Sequence, residues 1–176
     1  WTVIQWDIRF GPAYDLTKPA NLKVLLQLIS CAQWVHMGTP CTSFSTARRG
    51  KLGSPGGPLR SKASPMGLEG LSDIDAGKVV LGNVLLFASA RIVRLCIKLR
   101  RAVSLENPRR SRLWWTHCML RLLQHGVKIN LDFCAYGMPW QKATTFAVWN
   151  TESLMPLAKQ CKSCGGRCMF SELKHR

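Results

Sequence analysis

Short apolar runs that end on turn residues alternate with helical periodicity along this chain, and this alternation limits its folds. Trp1–Ile8 reads as a strand ending on an acid, Asp7, before the Gly11-Pro12 turn. Lys18–Ile29 carries Leu22, Leu25, Leu26 and Ile29 at helical spacing. Trp34–Met37 is a short strand that runs into Gly38-Thr39-Pro40-Cys41. Asp73–Arg101 reads as a long helix, capped by Ser72 or Asp73, with Val80, Val84, Leu85, Ala88, Ile92 and Leu95 on its apolar face. Ala102–Leu105 is a strand that delivers Glu106-Asn107-Pro108, and Arg110–Gln124 is a helix stopped by Gly126. Val127–Phe133 and Thr144–Trp149 complete the strands. Strands alternating with helices predict an α/β domain with a mostly parallel sheet and flanking helices. In such sheets the ligand crevice lies beyond the carboxyl ends of the strands. Asp7, Cys41 and Glu106 each follow a predicted strand, so one edge should gather them.

The 176 residues suffice for one domain with a real core, and a hydrophobic content of 47% argues against wholesale disorder. Charge is the outlier: 25 Lys and Arg oppose 9 Asp and Glu, a formal net charge of +16. Nucleic acid is the default partner of such a surface, DNA or RNA alike; a solubility charge or a cationic contact in an assembly is the plainer reading. No apolar run reaches the roughly 18 residues of a bilayer span, so no membrane partner is expected. The start has no signal-peptide layout, and opening on Trp1 suggests an excised domain or fragment. The 8 cysteines are scattered except for one terminal cluster, which fits reduced, intracellular thiols, nuclear or cytoplasmic, plus a metal site. The chain divides into a core, 1–155, and a basic Cys/His-rich tail, 156–176.

Thr42–Ser72 is rich in Gly, Ser and Pro and carries Arg48, Arg49, Lys51, Arg60 and Lys62, which reads as a long functional loop. Cys41 stands at its mouth, where nearby cations would favour the thiolate. A buried structural cysteine is the competing reading. A phosphatase loop is disfavoured, because the sixth residue after Cys41 is Ala47, with Arg48 one place too late. Glu106, followed by Pro108, is aimed out of the sheet and could bond a base ring; a plain helix N-terminal acid beside Arg109 and Arg110 is the alternative.

Gly38-Thr39-Pro40-Cys41-Thr42-Ser43-Phe44-Ser45 resembles the Pro-Cys catalytic motif of DNA cytosine-5 methyltransferases. Leu105-Glu106-Asn107-Pro108 resembles their Glu-Asn motif, and Ala135-Tyr136-Gly137-Met138-Pro139-Trp140-Gln141-Lys142, followed by Phe146, resembles their Tyr-Gly-x-Pro-Gln-x-Arg-x-Arg block. The three stand in the family's order within residues 1–150. The resemblance implies a Rossmann-like S-adenosylmethionine-dependent methyltransferase fold, N-terminally incomplete. It implies a flipped cytosine, a Cys41 thiolate adding to C6, and Glu106 bonding N3 and the exocyclic amine. S-adenosylmethionine would supply the methyl group to C5. Asn107 would hold the pocket loop, and Lys142 would stand for the first Arg of the third block. Asp7, Asp15 and Pro40 would bind the cofactor, and Ser43, Ser45, Arg48, Arg49, Lys51 and Arg60 would meet nucleic acid. Trp140 replaces the family Gln and Thr144 the second Arg, and Lys142 lacks an Arg's bidentate fork. A Gly-rich cofactor loop before Asp7 and a recognition domain after Phe146 are missing, so cofactor binding is expected to be poor. A basic nucleic-acid-binding module without catalysis is the alternative function.

Cys161-x-x-Cys164-x-x-x-Cys168, with His175 downstream, suits a tetrahedral zinc site. A flexible basic tail with reactive thiols is the other reading. Cys31, Cys96, Cys118 and Cys134 read as structural.

Overall fold

The computed structural model describes residues 2–48, 50–51, 54, 56–163 and 166–175. Its frame is a four-stranded sheet in the order β1-β2-β4-β3: β1 Trp34–Gly38, β2 Ala102–Pro108, β3 Val127–Asp132 and β4 Ala143–Trp149. Among the described residues three α-helices accompany it: α1 Pro19–Ile29, α2 Asp73–Lys98 and α3 His117–Leu123. The fold is therefore α/β, but the sheet is mixed rather than mostly parallel. Only β1 and β2 are parallel, with Gly38 opposite Glu106. β4 runs antiparallel to both β2 and β3. The reason lies in chain length. A parallel return needs a crossover of a dozen or more residues. The long 39–101 segment provides one through α2, whereas 133–142 holds only a 3-10 turn at Phe133–Tyr136 and folds back as a hairpin.

α2 starts where Ser72 accepts the Asp75 amide, with Asp73 and Asp75 in its positive first turn. Its buried stripe is Val79, Leu86, Ala90, Val93 and Cys96, at intervals of seven, four, three and three. Val80 and Val84, expected on the apolar face, instead stand 61% and 37% exposed. An 18-residue window of α2 has mean hydropathy 1.8, so by length and composition this helix does reach the measure of a bilayer span. Here its buried stripe packs with Val103, Leu105, Ala147 and Trp149 of β2 and β4 and with Leu113, Met119 and Leu122 around α3. The predicted Arg110–Gln124 helix is broken at Thr116, which is extended and whose hydroxyl donates to Leu113 O at 2.8 Å. A 3-10 turn at Arg112–Trp115 precedes the break and α3 follows it.

The predicted strand at Trp1–Ile8 does not form among the described residues. Ile8–Phe10 is a 3-10 turn capped by Asp7, and Val3 and Ile4 remain 78% and 64% exposed, paired with no strand. The sheet's second face is open over β1 and β2, where Trp34 and His36 stand exposed beside Ser104. Over β3 it is closed, burying Ile129 and Leu131.

Gly82 lets α2 approach the loop that follows β1. A Cβ there would strike Ser43 Oγ and come within 2.9 Å of Arg60 Nη2. Gly to Ala inside a helix ordinarily gains about 1 kcal/mol, while overpacking costs about 1–3 kcal/mol. Gly82→Ala should therefore lower stability by about 1 kcal/mol, read from the midpoint of urea unfolding; a rise in the midpoint would show that the loop yields freely.

Candidate functional site

The parallel pair sets the site. Gly38 ends β1 opposite Glu106, so the Cys41 turn and the Glu106-Asn107-Pro108 end of β2 leave the sheet side by side. Two bonds tie them. The fully buried Asn107 donates from Nδ2 to Thr39 O at 2.6 Å, and the Arg112 amide donates to Phe44 O at 2.9 Å. Cys41 O accepts the amides of Phe44 and Ser45 at 2.9 and 2.8 Å, closing a tight turn. Phe44 is fully buried and anchors that turn, while Cys41 itself is half-buried. Thr39 fixes the approach through a 2.8 Å hydroxyl contact with Ser89 of α2.

Glu106 has a buried Oε1 with no aligned hydrogen-bond donor. Lys142 Nζ lies 3.3 Å from this oxygen, an ion pair by distance without hydrogen-bond alignment. The same ammonium sits 4.6 Å over the Phe133 ring. Phe146 is the register partner of Glu106 and stacks on His36 with 5.7 Å between ring centres. Phe133 and Phe146, with Leu131, Tyr136, Met138 and Leu157, line an apolar cavity of about 250 Å³. Trp140 stays 46% exposed nearby in sequence.

The other predicted residues divide. Asp7 is held by Arg9, whose side chain and amide keep its carboxyl below the ordinary range. Asp15 accepts the Thr17 hydroxyl and amide at 2.7 and 2.9 Å, with the same downward effect. Both acids are engaged within their own turns. Pro40 is exposed beside Cys41, and Ser45 accepts the Ala47 amide. Arg60 and Ser43 are buried, at 4% exposure each. Arg60 donates to Ser43 Oγ, Val79 O, Pro65 O and Asn83 Oδ1 and covers the Phe44 ring at 3.8 Å. Burial pulls its guanidinium down to about 10, still charged at neutral pH. Arg48 bonds Gly57 O and pairs with Asp75 of α2 at 3.3 Å. Arg60, Ser43 and Arg48 therefore build the loop in this structure and do not present it to a phosphate. Lys51 is exposed, and Arg49 lies outside the described residues.

A second cluster joins the tail to the core. Cys134, Cys161, Cys168 and His175 bring one ligand atom each within 4.8 Å of one another, and they could hold a metal ion. The three cysteines are 3%, 6% and 2% exposed. Cys161 Sγ lies 3.9 Å from both Cys168 Sγ and His175 Nε2. Tetrahedral zinc with thiolates at ~2.3 Å would set sulfurs ~3.8 Å apart. The amides of Met169 and Phe170 point at Cys161 Sγ and Cys168 Sγ, both at 3.4 Å. A short hairpin holds the last two ligands, with the Cys168 amide bonded to Leu173 O and the His175 amide to Gly166 O. Burial pushes the Cys134 thiol up to about 12. Burial also acts to raise Cys168, but the Phe170 amide, Ser171 and His175 bring it down to about 6. The ligand that sequence reasoning missed is Cys134, read there as structural. It stands 27 positions before Cys161 and is recruited because β3 ends at Asp132 beside the tail. The predicted ligand Cys164 lies outside the described residues.

No family model matches this chain, and neither a curated protein nor a solved structure does.

Asp75 of α2 latches the loop through Arg48 and also bonds Lys78 one turn along its own helix, and these two partners, Lys78 foremost, hold its carboxyl below the ordinary value. A lowered carboxyl stabilises the fold fully above 3.8 and loses that contribution as pH falls through the lower folded midpoint. Asp75→Asn should free the loop at all pH values and speed tryptic cleavage within residues 48–62 several-fold at neutral pH. Unchanged cleavage would mean that the latch does not restrain the loop.

Proposed function

We propose that the chain carries the cytosine-activating half of a DNA cytosine-5 methyltransferase-like site, with Cys41 as nucleophile and Glu106 as the ring-binding acid. The observation that carries this reading is the pairing of Gly38 with Glu106, locked by the Asn107–Thr39 bond, which sets both motifs at one sheet end. We read β1, α2 and β2 as one crossover unit of a Rossmann-like methyltransferase fold on the same ground. A cytosine flipped from the stack would meet the half-buried Cys41 on one side. Its thiolate adds to C6 while Glu106 bonds N3 and the exocyclic amine, and the electron pair moves to C5. C5 takes a proton from solvent, a base removes the original hydrogen, and the thiol leaves as the C5–C6 double bond re-forms. Lys142 keeps a positive charge beside Glu106, and the adjoining aromatic cavity offers apolar walls for a planar ring.

In the family the methyl group comes from S-adenosylmethionine. The residues offered for it do not fit here, because Asp7 and Asp15 are engaged in their own turns. The chemistry assigned to this chain therefore stops at addition, exchange at C5 and release. The same observation favours the second reading, a nucleic-acid-binding module without methyl transfer. Both use the cationic surface, so binding should weaken steeply with salt.

The test is tritium release from an oligonucleotide carrying 5-tritiated cytosine, without methyl donor. The protein should release tritium to water, and Cys41→Ser should abolish release while still binding DNA. Glu106→Gln should slow release by about 10²–10⁴-fold, the range of a positioned acid or base. Retained release in Cys41→Ser would remove the nucleophile; bound DNA with no release from the intact protein would leave the binding module. An RNA oligonucleotide run in parallel identifies the polymer.

The cluster of Cys134, Cys161, Cys168 and His175 is assigned to structural zinc, whose preference for thiolate and imidazole it matches. Freshly purified protein should contain about one zinc per chain, and Cys134→Ser should lose most of it. Full zinc content in Cys134→Ser would exclude that residue as a ligand.

A further inference from the structure

Cys161 does more than offer a sulfur, because its backbone amide and carbonyl bond two residues, Asp132 and Gln141, whose neighbours adjoin Glu106. Its amide donates to Asp132 Oδ2 at 2.6 Å. The other oxygen of that carboxylate accepts from Arg109 Nη2, also at 2.6 Å. Arg109 directly follows Glu106-Asn107-Pro108, and its amide is bonded to Ala143 O at 3.0 Å. On the other side, Cys161 O accepts from Gln141 Nε2 at 3.0 Å. Gln141 precedes Lys142, the cation beside Glu106, and its carbonyl accepts the Phe133 amide at 3.1 Å. Cys134, another ligand, follows Phe133. Asp132 is fully buried, so both of its partners are needed to satisfy it.

We propose that the Cys134–Cys161–Cys168–His175 centre, loaded with zinc, positions Glu106: by fixing Cys161 it holds the Asp132–Arg109 arm behind the acid and the Gln141–Lys142 arm beside it. This rests on the zinc reading of the cluster. The metal touches no substrate in this scheme; it acts through Asp132 and Gln141 as positioning residues. Metal ligands are commonly oriented by outer hydrogen bonds, and here the same bonds carry order outward. With zinc removed, Cys161 loses its sulfur anchor and is held by hydrogen bonds alone, so both arms end on a looser partner.

Hydrogen exchange on the full chain, under reducing conditions, tests this with and without zinc removed by a chelator. Amides within 106–109 and 133–143 should exchange about tenfold faster without zinc, the scale of one net hydrogen bond. Amides of α2, remote from the centre, should not change. Asp132→Asn should keep its zinc, measured by metal analysis, yet exchange at 106–109 should no longer respond to the metal. Zinc that binds but leaves 106–109 unchanged on removal overturns the coupling and spares the zinc reading. Loss of protection in α2 as well would make the metal a support of the whole fold and overturn a local device. Protein that binds no zinc overturns both.

Discussion

The Asp132 carboxylate is the constraint on which this end of the molecule depends. It has no exposure to solvent, and a charge buried that way is costly unless every lone pair finds a donor. Arg109 and the Cys161 amide supply those donors from opposite sides, one from the end of β2 and one from the tail. The Asp132 amide adds a third tie, donating to Lys159 O at 2.9 Å. The tail is thereby stitched along β3. Breaking one partner leaves a buried ion half satisfied, so the two attachments stand or fall together.

The other organising feature is the parallel pair β1–β2. Parallel strands present both carboxyl ends at one edge, and the connection between them must be long. The 39–101 segment uses that length twice, first for the Cys41 turn and its loop, then for α2. Phe44 and Arg60 show how the loop is fixed: a buried ring under a buried guanidinium that bonds four oxygens. The Cys41 turn is therefore fixed at its base.

What the sequence made legible was local. β1 and β2 appear where apolar runs meet Gly38 and Glu106, because burial in a sheet and a turn signal agree there. β4 and α2 were found for similar reasons. The face of α2 was misjudged, since Val80 and Val84 fit helical spacing as well as Val79 and Leu86 do, and only the sheet decides. The mixed sheet was missed because direction depends on what 133–142 does, and its composition gives no strong helix or hairpin signal. Arg60 was read as a phosphate contact because charge on a loop usually faces water. Its burial needed four acceptors from 43, 65, 79 and 83, a set that no linear pattern reveals. Cys134 was hidden in the same way, by distance along the chain.

These misplaced residues change how the charge should be understood. The +16 surplus does not all stand ready for direct contacts: Arg60 keeps its charge but is buried among neutral oxygens, and Arg48 and Arg109 are each matched by an acid, Asp75 and Asp132. A buried guanidinium makes no direct contact with a phosphate. On the proposed reading, phosphate contacts would come from exposed groups such as Lys51, Arg91 and Arg94, of which the latter two lie on the second half of α2. A nucleic acid held by that field would span the helical layer as well as the strand ends. Affinity would then be spread over the surface, while selection of a base would fall to the few groups at the strand ends, Cys41 and Glu106 foremost. That division matches the general rule that phosphate contacts position and base contacts specify.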